Sequence, residues 1–136
     1  MPADPLHGVL LDTHEWVWLI EGAPQMEAFR AAEGEPRVAA ISAWQVAMLV
    51  AKGQLALSPN PEKWVLDALK PPVRLVPLDP EISLLSCRLP GTMHGDPADR
   101  LIVATALWLQ APLATADRAI LAYARRQRMK TVDLGR

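Results

Sequence analysis

The chain of 136 residues is near the commonest size for a single domain, and 51% of its residues are hydrophobic, enough for a core without disulfides or metal staples. The lone Cys87 excludes an intramolecular disulfide framework, and no signal-peptide pattern is present, so we expect a single-domain cytoplasmic protein over residues 1–136. No apolar run reaches the ~20 residues of a membrane helix. The formal net charge of −1 argues against a broad nucleic-acid-binding surface.

A local basic cluster lies near the C-terminus. Its members are Arg125, Arg126, Arg128 and Lys130. We interpret it first as a solvated helix end, where the helix dipole favours cations, and second as a local patch for the phosphates of a nucleic acid.

Short apolar runs of strand length alternate with segments of helical period along the whole chain. Strands are predicted at 8–12, 37–42, 73–78 and 112–116, with a short last strand at 130–134. Helices are predicted at 14–22, about 25–32, 44–53, 61–69, 80–89, 96–110 and about 117–127. This alternation predicts an α/β fold, in which a mostly parallel sheet of four to five strands lies between helices in a three-layer domain.

The stretch ISAWQVAMLVAKG, from residue 41 to residue 53, resembles the start of an ordinary helix. Ser42 and Gln45 fit the S-x-x-Q spacing of a capping box, in which the two side chains bond to the backbone of the first turn. We therefore predict that Ser42 caps this helix. Gln45 is predicted both to cap and to lie near a functional site.

Polar residues follow the predicted strands at the point where each strand ends. Asp12 closes the first strand, Asp117 follows the fourth, Gln45 comes after the second, and Asp99 begins the helix that leads to the fourth. Ligands of open parallel sheets collect at the carboxyl ends of the strands, and converging acids repel one another unless a hard cation lies between them. Each acid alone is also explained as a helix cap.

Other polar side chains near these acids are candidates for supporting roles. Hydroxyl groups next to the acids could orient carboxylates or waters, or make only local turn bonds, and a neighbouring arginine could pair with a carboxylate or touch phosphate. Two histidines could contact a substrate, but histidines at such positions are more often plain surface residues. The candidates are Thr13, Ser42, Thr115, Arg100, His14 and His94.

At these positions the sequence resembles the PIN domain family, and in particular the VapC-type toxins of bacterial and archaeal toxin–antitoxin pairs. The resemblance rests on LLDTHEWVWLI, ISAWQVAMLVAKGQLAL, and GDPADRLIVATAL followed by PLATADRAI, in the family's order and spacing. It implies an endoribonuclease that depends on Mg²⁺ or Mn²⁺. The implied metal ligands are Asp12, Asp99 and Asp117.

The resemblance also implies partners. A protein of this class forms a homodimer, cleaves an RNA substrate, and binds an antitoxin whose C-terminal segment covers the active-site groove. Trp16 and Trp18 lie two residues apart on the first helix and cannot both face the sheet, because such positions point about 200° apart. We therefore expect one of them on an exposed apolar patch, which commonly marks an interface.

The chain departs from the family pattern at one catalytic position, where Gln45 replaces the Glu of the S-x-W-E-x-A segment. An amide oxygen is a weaker, uncharged metal ligand and accepts no proton from water. Two explanations fit: a native Gln45 in a weak or inactive nuclease, or an isosteric replacement that keeps a toxic ribonuclease silent. A different class of function is a non-catalytic PIN-like module that acts through RNA or protein contacts.

Overall fold

The computed structural model describes residues 8–27, 29, 35–57 and 60–134. The described residues form strands β1 (Gly8–Leu11), β2 (Glu35–Ala39), β3 (Arg74–Val76), β4 (Leu113–Thr115) and β5 (Thr131–Asp133). The α-helices are α1 (Thr13–Glu21), α2 (Ala40–Ala51), α3 (Pro61–Ala68), α4 (Pro80–Ser86), α5 (Pro97–Leu109) and α6 (Arg118–Arg126). Strands and helices alternate much as the apolar periodicity predicts.

The five strands form one sheet in the order β3-β2-β1-β4-β5, and each neighbouring pair is parallel. The predicted α/β class is therefore confirmed. β1 is the central strand and pairs with β2 on one side and β4 on the other. Because parallel strands all end at the same edge, the residues after β1 and β4 become neighbours in space.

Helices cover both faces of the sheet. Leu10 and Leu11 are fully buried neighbours on β1, and they belong to two different core clusters because successive strand residues point to opposite faces. One cluster is centred on α5 and contains Ile102 and Tyr123. The other cluster contains the fully buried Trp16 of α1. The result is the predicted three-layer arrangement.

Most helices begin with a side chain that satisfies a free backbone N–H group. The Asn60 and Asp79 side chains accept from the N–H groups of Lys63 and Ile82 at the starts of α3 and α4. Helix α1 ends at Gly22, whose φ of 78° lies in the left-handed region that glycine adopts without strain. In the described part of the chain, no helix is both long and apolar enough to span a membrane.

The capping prediction for Ser42 and Gln45 is wrong. β2 ends at Ala39 and α2 begins at Ala40, so the predicted second strand was three residues too long. No side chain caps α2, and Ser42 lies inside its first turn while Gln45 lies in the second. A 3-10 turn spans Pro24–Met26, and Glu27 and Phe29 are helical. The rest of the predicted helix at about 25–32, residues 28 and 30–32, lies outside the described residues, so that helix stays a prediction over most of its length.

Candidate active site

Two acids lie side by side at the carboxyl edge of the sheet, after β1 and after β4. The Asp12 N–H donates to the Ala114 carbonyl at 2.9 Å, which continues the strand pairing to the edge. Asp12 is the N-cap of α1 and Asp117 is the N-cap of α6, where its carboxylate accepts from the Ile120 N–H at 3.0 Å. Both acids therefore cap helices, as predicted for each acid taken alone. They also face a common space.

Thr115 connects the two acids. Its hydroxyl donates to Oδ2 of Asp12 at 2.7 Å and accepts from the Asp117 N–H at 3.0 Å. The other oxygen, Oδ1 of Asp12, accepts from the Thr13 N–H at 2.8 Å. Burial raises the pKa of the Asp12 carboxyl above its ordinary value, while the bonds from Thr115 and Thr13 lower it in part. Asp12 is held in one orientation at some electrostatic cost.

Gln45 reaches the same space from α2. The Thr13 hydroxyl donates to Oε1 of Gln45 at 2.5 Å and lies 2.8 Å from the Ser42 hydroxyl. Since Thr13 has only one hydroxyl proton, Ser42 is the donor to Thr13. Thr13 and Ser42 are both buried. Their hydroxyls therefore orient the Gln45 amide instead of capping a helix.

Asp99 lies in the first turn of α5 and faces the other acids. Its N–H donates to the Asp96 carboxylate at 3.0 Å, and its Oδ2 lies 3.4 Å from Nε2 of His94. Burial, followed by the charges of Asp96 and Asp12, raises the pKa of Asp99 to about 7. An acid with a pKa near 7 is only partly ionised in neutral solution, and a nearby cation would favour its charged form.

Glu15 is a further acid at this edge of the sheet, and the sequence did not single it out. Its side chain is 1% exposed, and Oε2 accepts from the Ala116 N–H at 2.9 Å. Oε1 is buried without a hydrogen-bond partner among the described residues. Burial, and then the charge of Asp12, raises the pKa of Glu15 to about 8. One signal was available: Glu15 is three residues after Asp12 on a helix, the spacing that places two side chains on one face.

These side chains line one cavity of about 370 Å³. Its lining comprises Asp12, Thr13, His14, Glu15, Trp18, Gln45, Asp96, Asp99, Ala116 and Asp117. The predicted acids therefore share one space with Gln45. Ser42 and Thr115 lie behind the lining and act through the hydrogen bonds described above.

The chemistry of this lining fits a hard divalent cation. Among the described residues, no group of three or more His, Cys, Asp or Glu side chains is arranged so that it could hold a metal ion. Mg²⁺ does not require three protein ligands at once, because it usually keeps several waters and takes one or two carboxylates. The acids raise one another's pKa through their charges, and a cation would relieve that repulsion.

The Arg100 side chain makes hydrogen bonds that the sequence did not predict. Its Nε donates to the Ser86 carbonyl at 2.9 Å, and its Nη1 donates to the Met93 carbonyl at 3.0 Å. The guanidinium thus joins α4 and the segment that follows it to the start of α5. A phosphate contact for Arg100 stays a prediction.

The tryptophans divide between core and surface. Trp16 is fully buried, and its Nε1 donates to the Ala68 carbonyl at 3.1 Å. Trp18 is half-buried and lines the cavity. Trp44 is 56% exposed, and it lines a second, more apolar groove with Ile41 and Met48. The exposed aromatic surface is therefore on α2 more than on α1.

Parallel strands with helices on both faces, and acids gathered where β1 and β4 end, define a class of α/β proteins with an acidic site at the sheet edge. The sequence model of the PIN domain matches residues 9–126. The chain is 36% identical over 117 residues to Ribonuclease VapC22 of Mycobacterium tuberculosis, which covers 82% of this chain and 88% of that protein. The chain belongs to the PIN domain family.

Solved structures share the fold. VapBC2 from Rickettsia felis, bound to a DNA fragment from its promoter, matches with a TM-score of 0.65 and 17% identity over 93% of this chain and 98% of that chain. FitAcB from Neisseria gonorrhoeae matches with a TM-score of 0.65 and 18% identity over 93% of this chain and 97% of that chain. At these identities the likeness is one of fold.

Proposed function

We propose that the chain is an endoribonuclease that requires Mg²⁺ or Mn²⁺, and that it is the toxin of a toxin–antitoxin pair. The observation that carries the proposal is the convergence of Asp12, Asp99 and Asp117 on one cavity at the carboxyl edge of the sheet. The 36% identity to a protein named as a ribonuclease supports the reaction class.

In this proposal Asp12, Asp99 and Asp117 hold the cation. When bound, a divalent cation binds a phosphate oxygen, lowers the pKa of water and stabilises the leaving oxygen. Thr13 and Thr115 fix both oxygens of Asp12, so its direction is set before RNA arrives. Oε1 of Gln45 accepts a hydrogen bond but no proton, which leaves this position without a base. The chain as it stands should therefore cleave RNA weakly.

The same proposal includes partners. The solved relatives are named as toxin–antitoxin or two-protein complexes, which supports an antitoxin that binds this chain and covers the cavity. We also propose a homodimer, with the exposed Trp44 side chain at or near a protein interface. The proposed place of action is the cytoplasm, where an RNA substrate is present.

Cleavage of RNA in the presence and absence of metal tests the proposal. The purified chain is incubated at high enzyme concentration with a mixed RNA substrate and Mg²⁺ or Mn²⁺. We expect slow cleavage that EDTA abolishes and that Asp99→Asn reduces by at least on the order of ten-fold, since one ligand charge is lost. If EDTA and Asp99→Asn each left the rate of cleavage equal to that of the unchanged chain with metal, a metal mechanism would be contradicted.

A second candidate is a non-catalytic module that binds RNA or protein. It is favoured by one observation: Asp12, Asp96 and Asp117 all act as N-caps with their own hydrogen bonds, and Gln45 is uncharged. In that case Asp99→Asn would alter thermal stability alone, and Gln45→Glu would create no cleavage. Binding of uncut RNA by both forms would support this candidate.

A further inference from the structure

Glu15 lies at a position where a residue with a purely structural role would not need to carry a charge. Its Oε2 already accepts from the Ala116 N–H, which ties α1 to the end of β4. A glutamine oxygen would serve that bond equally well. The second oxygen, Oε1, is buried without a hydrogen-bond partner among the described residues, and an unpaired buried polar atom is costly.

The surroundings of Glu15 add to that cost. The side chain lines the cavity together with Asp12 and Asp117, and among the described residues no basic side chain lines it apart from His14. Like charges held together in a poorly solvated space destabilise one another, and the usual compensation is a cation between them. An acid buried here against repulsion therefore indicates a positive ligand in the cavity.

Gln45 leaves the α2 side of the cavity without a carboxylate. It faces the same cavity from α2 and is neutral at the position where the family pattern has an acid. Glu15 faces the cavity from α1, on the helix that donates to Gln45 through Thr13. The described lining of the cavity thus includes five carboxylates, but none of them is on α2, where Gln45 lies; the five are Asp12, Glu15, Asp96, Asp99 and Asp117.

We propose that Glu15 is a cation-binding residue of this site and supplies the negative charge that Gln45 does not provide. The inference rests on the proposed metal-dependent function. It goes beyond that function because it places the additional carboxylate of the site on α1, whereas the family pattern places it on α2. The site would hold its cation with Glu15 in addition to the three acids predicted from the sequence.

Calorimetric titration with Mn²⁺ tests the assignment without any cleavage assay. We expect Glu15→Gln to weaken Mn²⁺ binding by on the order of ten-fold or more, because one negative charge is lost from the lining of the cavity. Glu81→Gln removes the same charge from an exposed position on α4 and should leave the affinity unchanged. Glu15→Asp keeps the charge at shorter reach and should lose less affinity than Glu15→Gln.

A rescue experiment sharpens the result. The double variant Glu15→Gln with Gln45→Glu returns the number of carboxylates to its original value, so it should bind Mn²⁺ within about a few-fold of the unchanged chain. Thermal unfolding is measured alongside. Without metal, Glu15→Gln should melt no lower than the unchanged chain, and with Mn²⁺ it should gain less stability.

The outcomes separate the two proposals. If Asp99→Asn loses Mn²⁺ affinity while Glu15→Gln does not, the Glu15 assignment is overturned and the metal-dependent function stands. A lower metal-free melting temperature in Glu15→Gln with unchanged affinity would also overturn the assignment, since it would mean a structural role. No Mn²⁺ binding by the unchanged chain, or binding that neither variant alters, would overturn both.

Discussion

The hydroxyl of Thr13 lies 2.5 Å from Oε1 of Gln45 and joins the start of α1 to the second turn of α2. This bond fixes the amide with its oxygen towards Thr13, and a carboxylate at the same position could accept the same proton. The pocket is therefore already shaped for an acid at residue 45. Replacing the amide by a carboxylate should change the charge of the site without changing its geometry.

We predict that Gln45→Glu increases Mg²⁺-dependent cleavage by at least on the order of ten-fold, because it adds a charge and a proton acceptor to the cation site. Without metal, the melting temperature should change little or fall, since another carboxylate joins the cavity. With metal it should rise, because the ion binds the folded state.

A paired assay on the same RNA checks this, with EDTA and with Gln45→Glu combined with Asp99→Asn as controls. Equal cleavage by both forms would mean that residue 45 has no part in the reaction. Cleavage by neither form on a broad set of RNAs would favour the binding module.

Thr115→Val tests the hydroxyl that connects the two strand-end acids. The change keeps the shape but removes the donor to Asp12 and the acceptor for the Asp117 N–H. We expect a loss of about 1–3 kcal/mol in the free energy of unfolding and weaker Mn²⁺ binding, because buried polar groups lose their partners. Denaturant unfolding and calorimetry measure the two effects. Thr115→Ser keeps the hydroxyl, and an equal loss of Mn²⁺ affinity in that variant would refute the argument.

The metal-free protein should become less stable as the pH rises from about 4 to about 8. The pKa of Asp99 is raised from 3.8 to about 7 and that of Glu15 from 4.5 to about 8. Between these values the folded state binds more protons than the unfolded state, so stability falls with increasing pH. Melting temperatures in EDTA should show this trend.

Two variants check the origin of that trend. Asp99→Asn should flatten it, whereas Glu81→Gln, which removes an exposed acid, should not. A melting temperature in EDTA that rises steadily over the same range would contradict the explanation.

The exposed face of α2 should mediate self-association of the isolated chain. Trp44 is 56% exposed and shares its groove with Ile41 and Met48, and large aromatic residues dominate the energy of many interfaces. Trp44→Glu should weaken self-association by on the order of ten-fold or more. Sedimentation at micromolar concentrations measures it. Leu66→Glu, at an exposed leucine of α3, is the control, and a strictly monomeric chain would remove the argument.

Most of the fold could be predicted from the sequence, because each strand is a short apolar run bounded by polar or turn residues. The boundary that failed is informative. AAIS, at 39–42, is as apolar as the strand before it, and only the packing of α2 against the sheet decides that the helix begins at Ala40. The Ser42 capping prediction failed for the same reason, since it depended on that boundary.

Part of the site was predictable from topology. Asp12 and Asp117 share one cavity because parallel strands end at one edge of the sheet. Asp99 lies there as well because α5 leads back to the start of β4 and therefore begins at that same edge. The contacts from Thr13 to Gln45 and from Glu15 to Ala116 depend on how α1 and α2 are rotated about their axes. Helix rotation is set by tertiary packing, so local sequence could not reveal these contacts.

The bond between Thr115 and Asp12 spans 103 positions of the chain. A ribosome makes Asp12 early and Thr115 near the end of synthesis, while the segments already made are beginning to fold. Every incomplete chain that stops before β4 lacks the central pairing of β1 with β4 and the hydroxyl that holds Asp12. Any activity that needs Asp12 in this orientation therefore cannot arise until synthesis of the chain is almost finished.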